Sequence, residues 1–282
     1  MFDGSDQSKS KVDTECGIKL LTRILSKKRP TLVNLSPEIF PIDSPKPGEI
    51  FEISGDSGSG KTTNLMELIA RTVIPLEFGG KGASVIVIDT NSNFHVSLLL
   101  PVIIEKHVIY NRTSSCQSTD TEVLVDATSN VSAIVLDAMK KIVFFKCYSS
   151  TEYELTLLYC SNYLLTNTNV SLIVVDSIAT FYWSDFSEQQ LIRMDTYLRR
   201  RVQELRKLTD EFKVVIAYTR PMEFGSNSTA MSYQQANYKI QLKPAKANDE
   251  WREARNYYSN QQISRRFSIN DFGIKWMSSI HQ

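Results

Sequence analysis

No apolar run in this 282-residue sequence approaches the roughly 18 residues that cross a bilayer, and the first residues are polar and charged instead of signal-like. An intracellular chain without membrane contact is therefore expected. Cysteine is scarce. Cys16, Cys116, Cys147 and Cys160 lie too far apart for zinc-ligand spacing, and three of them sit in or beside apolar or aromatic sequence, so reduced structural thiols are expected. Net charge is nearly absent, +1 from 32 basic and 31 acidic residues. That excludes the broad positive field of a strongly basic nucleic-acid domain, so any contact with DNA has to be local or shared with partners. No internal repeat is visible, and no basic block beyond a weak Lys27-Lys28-Arg29 marks nuclear import.

What is present is the composition of a folding chain, 42% hydrophobic and 22% charged. Residues 1–13 are polar. Ile18, Leu21, Ile24 and Leu25 then have the spacing of a short amphipathic helix that could dock on a partner. Five prolines between Pro30 and Pro47 rule out long helices before Gly48. From there strand and helix alternate: strands at 49–54, 83–89, 141–148, 170–176 and 213–218, helices at 61–74, 151–165 and 188–210. Runs such as Val85-Ile86-Val87-Ile88 need cover on both faces, which predicts a parallel sheet wrapped by helices. Two tail strands, near 255–258 and over 265–274 with a turn at 270–273, predict a terminal β hairpin. Residues 111–130 and 221–250 are rich in Ser, Thr, Asn and Gln and read as surface loops. The expected division is an extension or linker over 1–48 and one α/β domain over 49–282.

The strongest chemical signal is Gly55-Asp56-Ser57-Gly58-Ser59-Gly60-Lys61-Thr62-Thr63, which matches G-x-x-x-x-G-K-[ST] between a strand and a helix. Glycines let such a loop curl its N–H groups around phosphate, and the following helix adds its positive dipole end. Lys61 would reach the β and γ phosphates of ATP, and the Thr62 hydroxyl would coordinate Mg²⁺. Asp176, closing Ser171-Leu172-Ile173-Val174-Val175-Asp176, is the candidate second metal-side ligand, although an aspartate there can also simply cap the next helix. Two further strands fall between these motifs. Small-molecule P-loop kinases usually lack that arrangement.

Several segments resemble the RecA-like recombinase family and its paralogue branch. Gly79-Gly80-Lys81-Gly82 leads into Val85-Ile86-Val87-Ile88-Asp89-Thr90, and those glycines read as a turn instead of a second phosphate cradle. Cys147-Tyr148-Ser149-Ser150-Thr151, the run from Val175 to Trp183, and the segment from Phe267 to Ile274 carry the rest of the likeness. The resemblance covers about residues 14–280. It implies a RecA-like P-loop ATPase core, a nuclear role in homologous recombination, and assembly with a sister recombinase paralogue in a complex that supports the recombinase filament on single-stranded or branched DNA. A P-loop about 55 residues from the start leaves no room for the helical DNA-binding domain of full recombinases. No Phe-x-x-Ala near the amino end suggests self-polymerisation.

The departures from the family pattern matter as much. Where the family carries a glutamate that activates water, this chain has Asn91, which accepts no proton, so slow hydrolysis is expected and no catalytic residue is secure. An active ATPase would need Asp89 or Glu105 as a substitute base. His95 replaces an arginine that covers the adenine in relatives, and Thr219-Arg220 replaces an amide that senses the γ phosphate. For DNA or partner contact the candidates are Arg199, Arg200 and Arg201, to be weighed against a solvated helix face balanced by Glu204, Asp210 and Glu211. Phe181, Tyr182 and Trp183 could stack bases or pack against the core.

Overall fold

The computed structural model describes residue 17 and residues 28–92, 99–115, 131–188, 193–222, 236–246, 249–259 and 261–277. The predicted docking helix, apart from Gly17, lies outside these residues, as does His95.

The elements run β1 (Ile50–Gly55), α1 (Lys61–Val73), β2 (Ser84–Asp89), α2 (Leu99–Ser115), α3 (Val131–Met139), β3 (Ile142–Lys146), α4 (Ser150–Thr166), β4 (Val170–Asp176), α5 (Tyr182–Glu188), α6 (Met194–Phe212), β5 (Val215–Arg220), β6 (Tyr238–Lys243), β7 (Arg252–Tyr258), β8 (Gln261–Asn270) and β9 (Gly273–Trp276). The strands form one sheet in the order β3-β2-β4-β5-β1-β6-β7-β8-β9. β3 through β6 in that order are parallel, and β7, β8 and β9 are added antiparallel.

β1 and β4 are buried along their whole lengths because helices cover both faces. One core, holding Phe51, Ile53, Val85, Val87, Leu172 and Val174, packs under α1, α2 and α3. The other, holding Ile50, Ile86, Ile88, Ile173 and Val175, packs under α4, α5 and α6. The alternation of Ile173 and Val174 between the two cores is the period of two expected of a strand. α4 starts at a side-chain cap: Ser149 Oγ accepts from Glu152 N at 3.2 Å, and Tyr148 N, one residue before the cap, donates to Glu152 Oε2 at 2.8 Å.

Three expectations change. The predicted loop over 221–250 contains β6, central to the sheet beside β1. Tyr238, Ile240 and Leu242 are buried while Lys239, Gln241 and Lys243 are half-exposed, a half-buried alternation hidden by polar neighbours. The predicted helix over 188–210 is instead α6 from Met194, preceded by the separate short α5. Between β2 and β3, α2 runs to Ser115, into the stretch expected to be loop, and α3 follows.

The stretch read as a linker is packed from Arg29 onward. Leu32, Leu35, Ile39 and Phe40 belong to the same core as β1, and the Phe40 ring meets Phe51 and Tyr238 edge-on. Arg29 gathers four carbonyls, those of Phe212, Asn167, Val170 and Leu164, at 2.8–3.0 Å. These are chain ends of α4 and α6 and the start of β4, where helix carbonyls lack partners of their own.

Candidate functional site

β1 ends at Gly55 and α1 begins at Lys61, so the phosphate-type loop lies at the carboxyl edge of the parallel strands, the edge at which such sheets receive ligands. The loop requires its glycines. A Cβ on Gly55 would meet the Leu242 carbonyl oxygen at 2.5 Å and Ser59 Oγ at 2.6 Å, and Gly60, with φ +95°, would meet Ile269 Cδ1 at 2.6 Å. Gly60 also brings no side chain to cap the first turn of α1, so that turn's N–H groups are not consumed by a cap.

Inside the loop Ser59 N donates to Asp56 O at 3.2 Å. Lys61 Nζ curls back over it to Gly55 O and Asp56 O, both at 2.9 Å. Burial lowers the Lys61 pKa, with Asp176 and Asp56 opposing the shift. An ammonium that is partly desolvated and held by carbonyls is primed to exchange them for a stronger acceptor.

Asp176 is buried at the end of β4. Thr62 Oγ1 donates to its Oδ2 at 2.7 Å, and the Thr219 hydroxyl donates to its Oδ1. The hydroxyl and carboxylate predicted as metal ligands thus touch although 114 residues separate them. Asp89 stands beside Asp176 in the β2–β4 register, and its Oδ1 accepts from Asn91 N and Ser92 N at 3.1 and 2.9 Å. Asn91 is exposed, and its Oδ1 accepts from Thr180 Oγ1 at 3.2 Å. Glu105 is exposed on α2, a helix that packs on α1, α3 and β9. Glycines 79, 80 and 82 make a turn: Gly80 N and Gly82 N are spent on Pro75 O and Ile74 O at 3.1 and 2.8 Å.

The arginine triplet divides. Arg199 and Arg200 are exposed on α6, whereas Arg201 is buried. It forms ion pairs with Glu154 at 3.0 Å, Glu204 at 3.1 Å and Asp185 at 3.7 Å. It also lies over the rings of Tyr153 and Tyr197. Arg201 is thus a bolt joining α4, α5 and α6, and this corrects its place among the DNA-contact candidates: a guanidinium facing three carboxylates inside the fold has no face left for phosphate. The aromatic run divides likewise, with Tyr182 buried and Trp183 exposed.

Two contacts beside these residues are not anticipated by the sequence. Thr219, which stands in place of the family's sensing amide, donates its hydroxyl to Asp176. Arg252, from β7, donates through Nε to Gly58 O at 3.2 Å. No short motif could reveal a contact across 194 residues.

The mouse (Mus musculus) DNA repair protein XRCC2 is 30% identical over 219 residues, 76% of this chain and 71% of that relative. The chain belongs to the Rad51 family. The Rad51 profile itself matches residues 130–246, from α3 through β6. DNA repair protein RAD51 of Saccharomyces cerevisiae is 26% identical over 61% of this chain, and DNA repair protein RAD51 homolog B of Zea mays 26% over 65%. The chain spans only 37% and 47% of those two proteins. The parallel core with its antiparallel tail is the RecA-like fold of this family, and Rad51-family membership displaces the small-molecule kinase alternative.

Proposed function

We propose that this Rad51-family chain acts in DNA repair by homologous recombination, in the nucleus, as an ATP-binding subunit of a mediator complex supporting the recombinase filament on single-stranded or branched DNA. Nucleotide binding shapes an interface in this reading, and hydrolysis by the chain itself is weak or absent. The observation that carries it is the convergence of Lys61, Thr62 and Asp176 at one glycine loop, with an amide at position 91. Thr62 Oγ1 and Asp176 Oδ2, hard oxygen donors 2.7 Å apart, are the ligand types Mg²⁺ prefers. The ion would offset phosphate charge. Lys61 and the loop N–H groups would hold the phosphates.

Asn91 supports slow turnover because its amide can position a water but take no proton. The rival, an active DNA-stimulated ATPase, draws on Asp89, which adjoins Asp176. Assembly with a sister paralogue is supported by β3, which has no strand on its outer side among the described residues. Beside it α4 exposes Leu155, Leu158 and Tyr159 on one helical face. L155E/L158E should abolish co-purification with that partner while leaving the melting temperature unchanged; retained co-purification would exclude this surface.

The test of the nucleotide reading is binding of a fluorescent ATP analogue with Mg²⁺, beside phosphate release with and without single-stranded DNA, for the native chain and Lys61→Ala. Binding lost in Lys61→Ala with background turnover in both is the expected result. Brisk DNA-stimulated turnover would sink it and make Asp89 the base to test.

A further inference from the structure

Lys61 is one cation at the phosphate loop; a second stands over the same loop and comes from near the other end of the chain. Arg252 opens β7, in register with Phe267 of β8. Its Nε holds the carbonyl of Gly58, the residue at the tip of the loop, at 3.2 Å. Gly58 has φ +74°, and nothing lies within 4 Å of where a Cβ would point, so the tip is otherwise open on that side.

Arg252 forms no ion pair among the described residues, unlike its neighbours. Arg255 is neutralised by Glu253 at 2.8 Å and Arg266 by Asp249. Among the described residues no carboxylate pairs with Arg252, and its two Nη groups have no hydrogen-bond partner. Its backbone is also fixed relative to the loop. Phe267 and Ile269 of the adjoining strand close on Gly60, and the Ile274 N–H donates to Glu67 of α1 at 2.9 Å. Arg252 further lines a cleft of about 600 Å³ with Asp249, Glu250, Ile269, Asn270 and Lys275, where Asp249 is already spent on Arg266.

Building on the nucleotide reading above, we propose that Arg252 is a second phosphate cation of this site, supplied by the C-terminal sheet of the same chain, and that it biases the site toward a nucleoside triphosphate over the diphosphate. A guanidinium with unspent N–H groups beside a phosphate cradle forms charge-assisted bonds, and its Coulomb gain grows with the charge of the ligand.

The test uses the full chain with N-methylanthraniloyl ATP and ADP in Mg²⁺, comparing native, Arg252→Lys, Arg252→Gln and Arg252→Ala, each also melted without nucleotide. Gln keeps a donor for the Gly58 carbonyl but no charge, whereas Lys keeps the charge. Arg252→Gln and Arg252→Ala should weaken the ATP analogue about tenfold and the ADP analogue about threefold or less. Arg252→Lys should stay within about threefold of native for both. Should Arg252→Ala melt well below native, the Gln and Lys variants carry the comparison. Native-like ATP binding by Arg252→Gln, or equal losses for both nucleotides, would overturn the proposal alone. A native chain that binds neither analogue would overturn the nucleotide reading and this inference with it.

Discussion

Replacing Arg201 with alanine should cost about 3 kcal/mol of folding stability, the low end of the range for breaking a buried ion pair. The low end applies because the carboxylates left behind are not equally dry: Glu154 is 61% exposed, while Glu204 and Asp185 are 25% and 26% exposed against 6% for Arg201 itself. Water can rescue Glu154 when its partner goes. It reaches Glu204 and Asp185 poorly, and Ser150 loses a 3.0 Å bond from Nη2. The faces of Tyr153 and Tyr197 lose the cation above them. At about 2–4 °C per kcal/mol for a domain of this size, the melting temperature should fall by about 6–12 °C. Arg200→Ala, on an exposed position of the same helix, should change stability by less than about 0.5 kcal/mol. Thermal and urea unfolding of the two variants beside native measures both. An Arg201→Ala chain that melts with native but loses DNA binding would refute the bolt and restore Arg201 as a nucleic-acid contact.

Glu67 predicts a pH dependence. Burial raises its pKa, but His107 Nε2 at 2.6 Å, the Ile274 N–H and Lys106 outweigh that and leave it lowered. The resulting stability is present above the unfolded carboxyl value of about 4.3 and disappears as pH falls through the lower folded value. Glu67→Gln should remove this part of the acid loss in melting temperatures measured from pH 6 downward; parallel curves would exclude it. Gly55→Ala should destabilise the chain by about 2 kcal/mol or more, since the clash falls on the Leu242 backbone carbonyl, and denaturant unfolding would register it; a native-like midpoint would show that the loop can shift. Burial pushes the Cys160 thiol up to about 12 and also raises Cys147. Maleimide at pH 8 should therefore label neither cysteine until denaturant is added, and mass mapping of early labelling at Cys160 would contradict its burial.

The parallel core was legible because its strands are short continuous apolar runs, and Gly55 to Thr63 fixed where the chain turns to meet phosphate. β6 was not, because Tyr238, Ile240 and Leu242 signal only by alternation inside a polar stretch. The contact between Thr62 and Asp176 followed from motif logic, since both end up at one edge of the sheet. Arg201 could not be separated from Arg199 and Arg200 by composition. Three adjacent helical residues point about 100° apart, and which one faces inward depends on where Glu154 and Asp185 fall in space. Arg252 meets Gly58 through sheet order alone, which no local pattern encodes.

Arg29 gives the chain a handle remote from its chemistry. It grips carbonyls at the starting end of β4, while Asp176 lies at the finishing end of that seven-residue strand, about 20 Å away at strand rise. A partner pulling on the chain at Lys28 would load the ends of α4 and α6 before it disturbed the phosphate loop. Trimming the chain to residue 28 keeps the four carbonyls tied; trimming it past Arg29 unties them all at once.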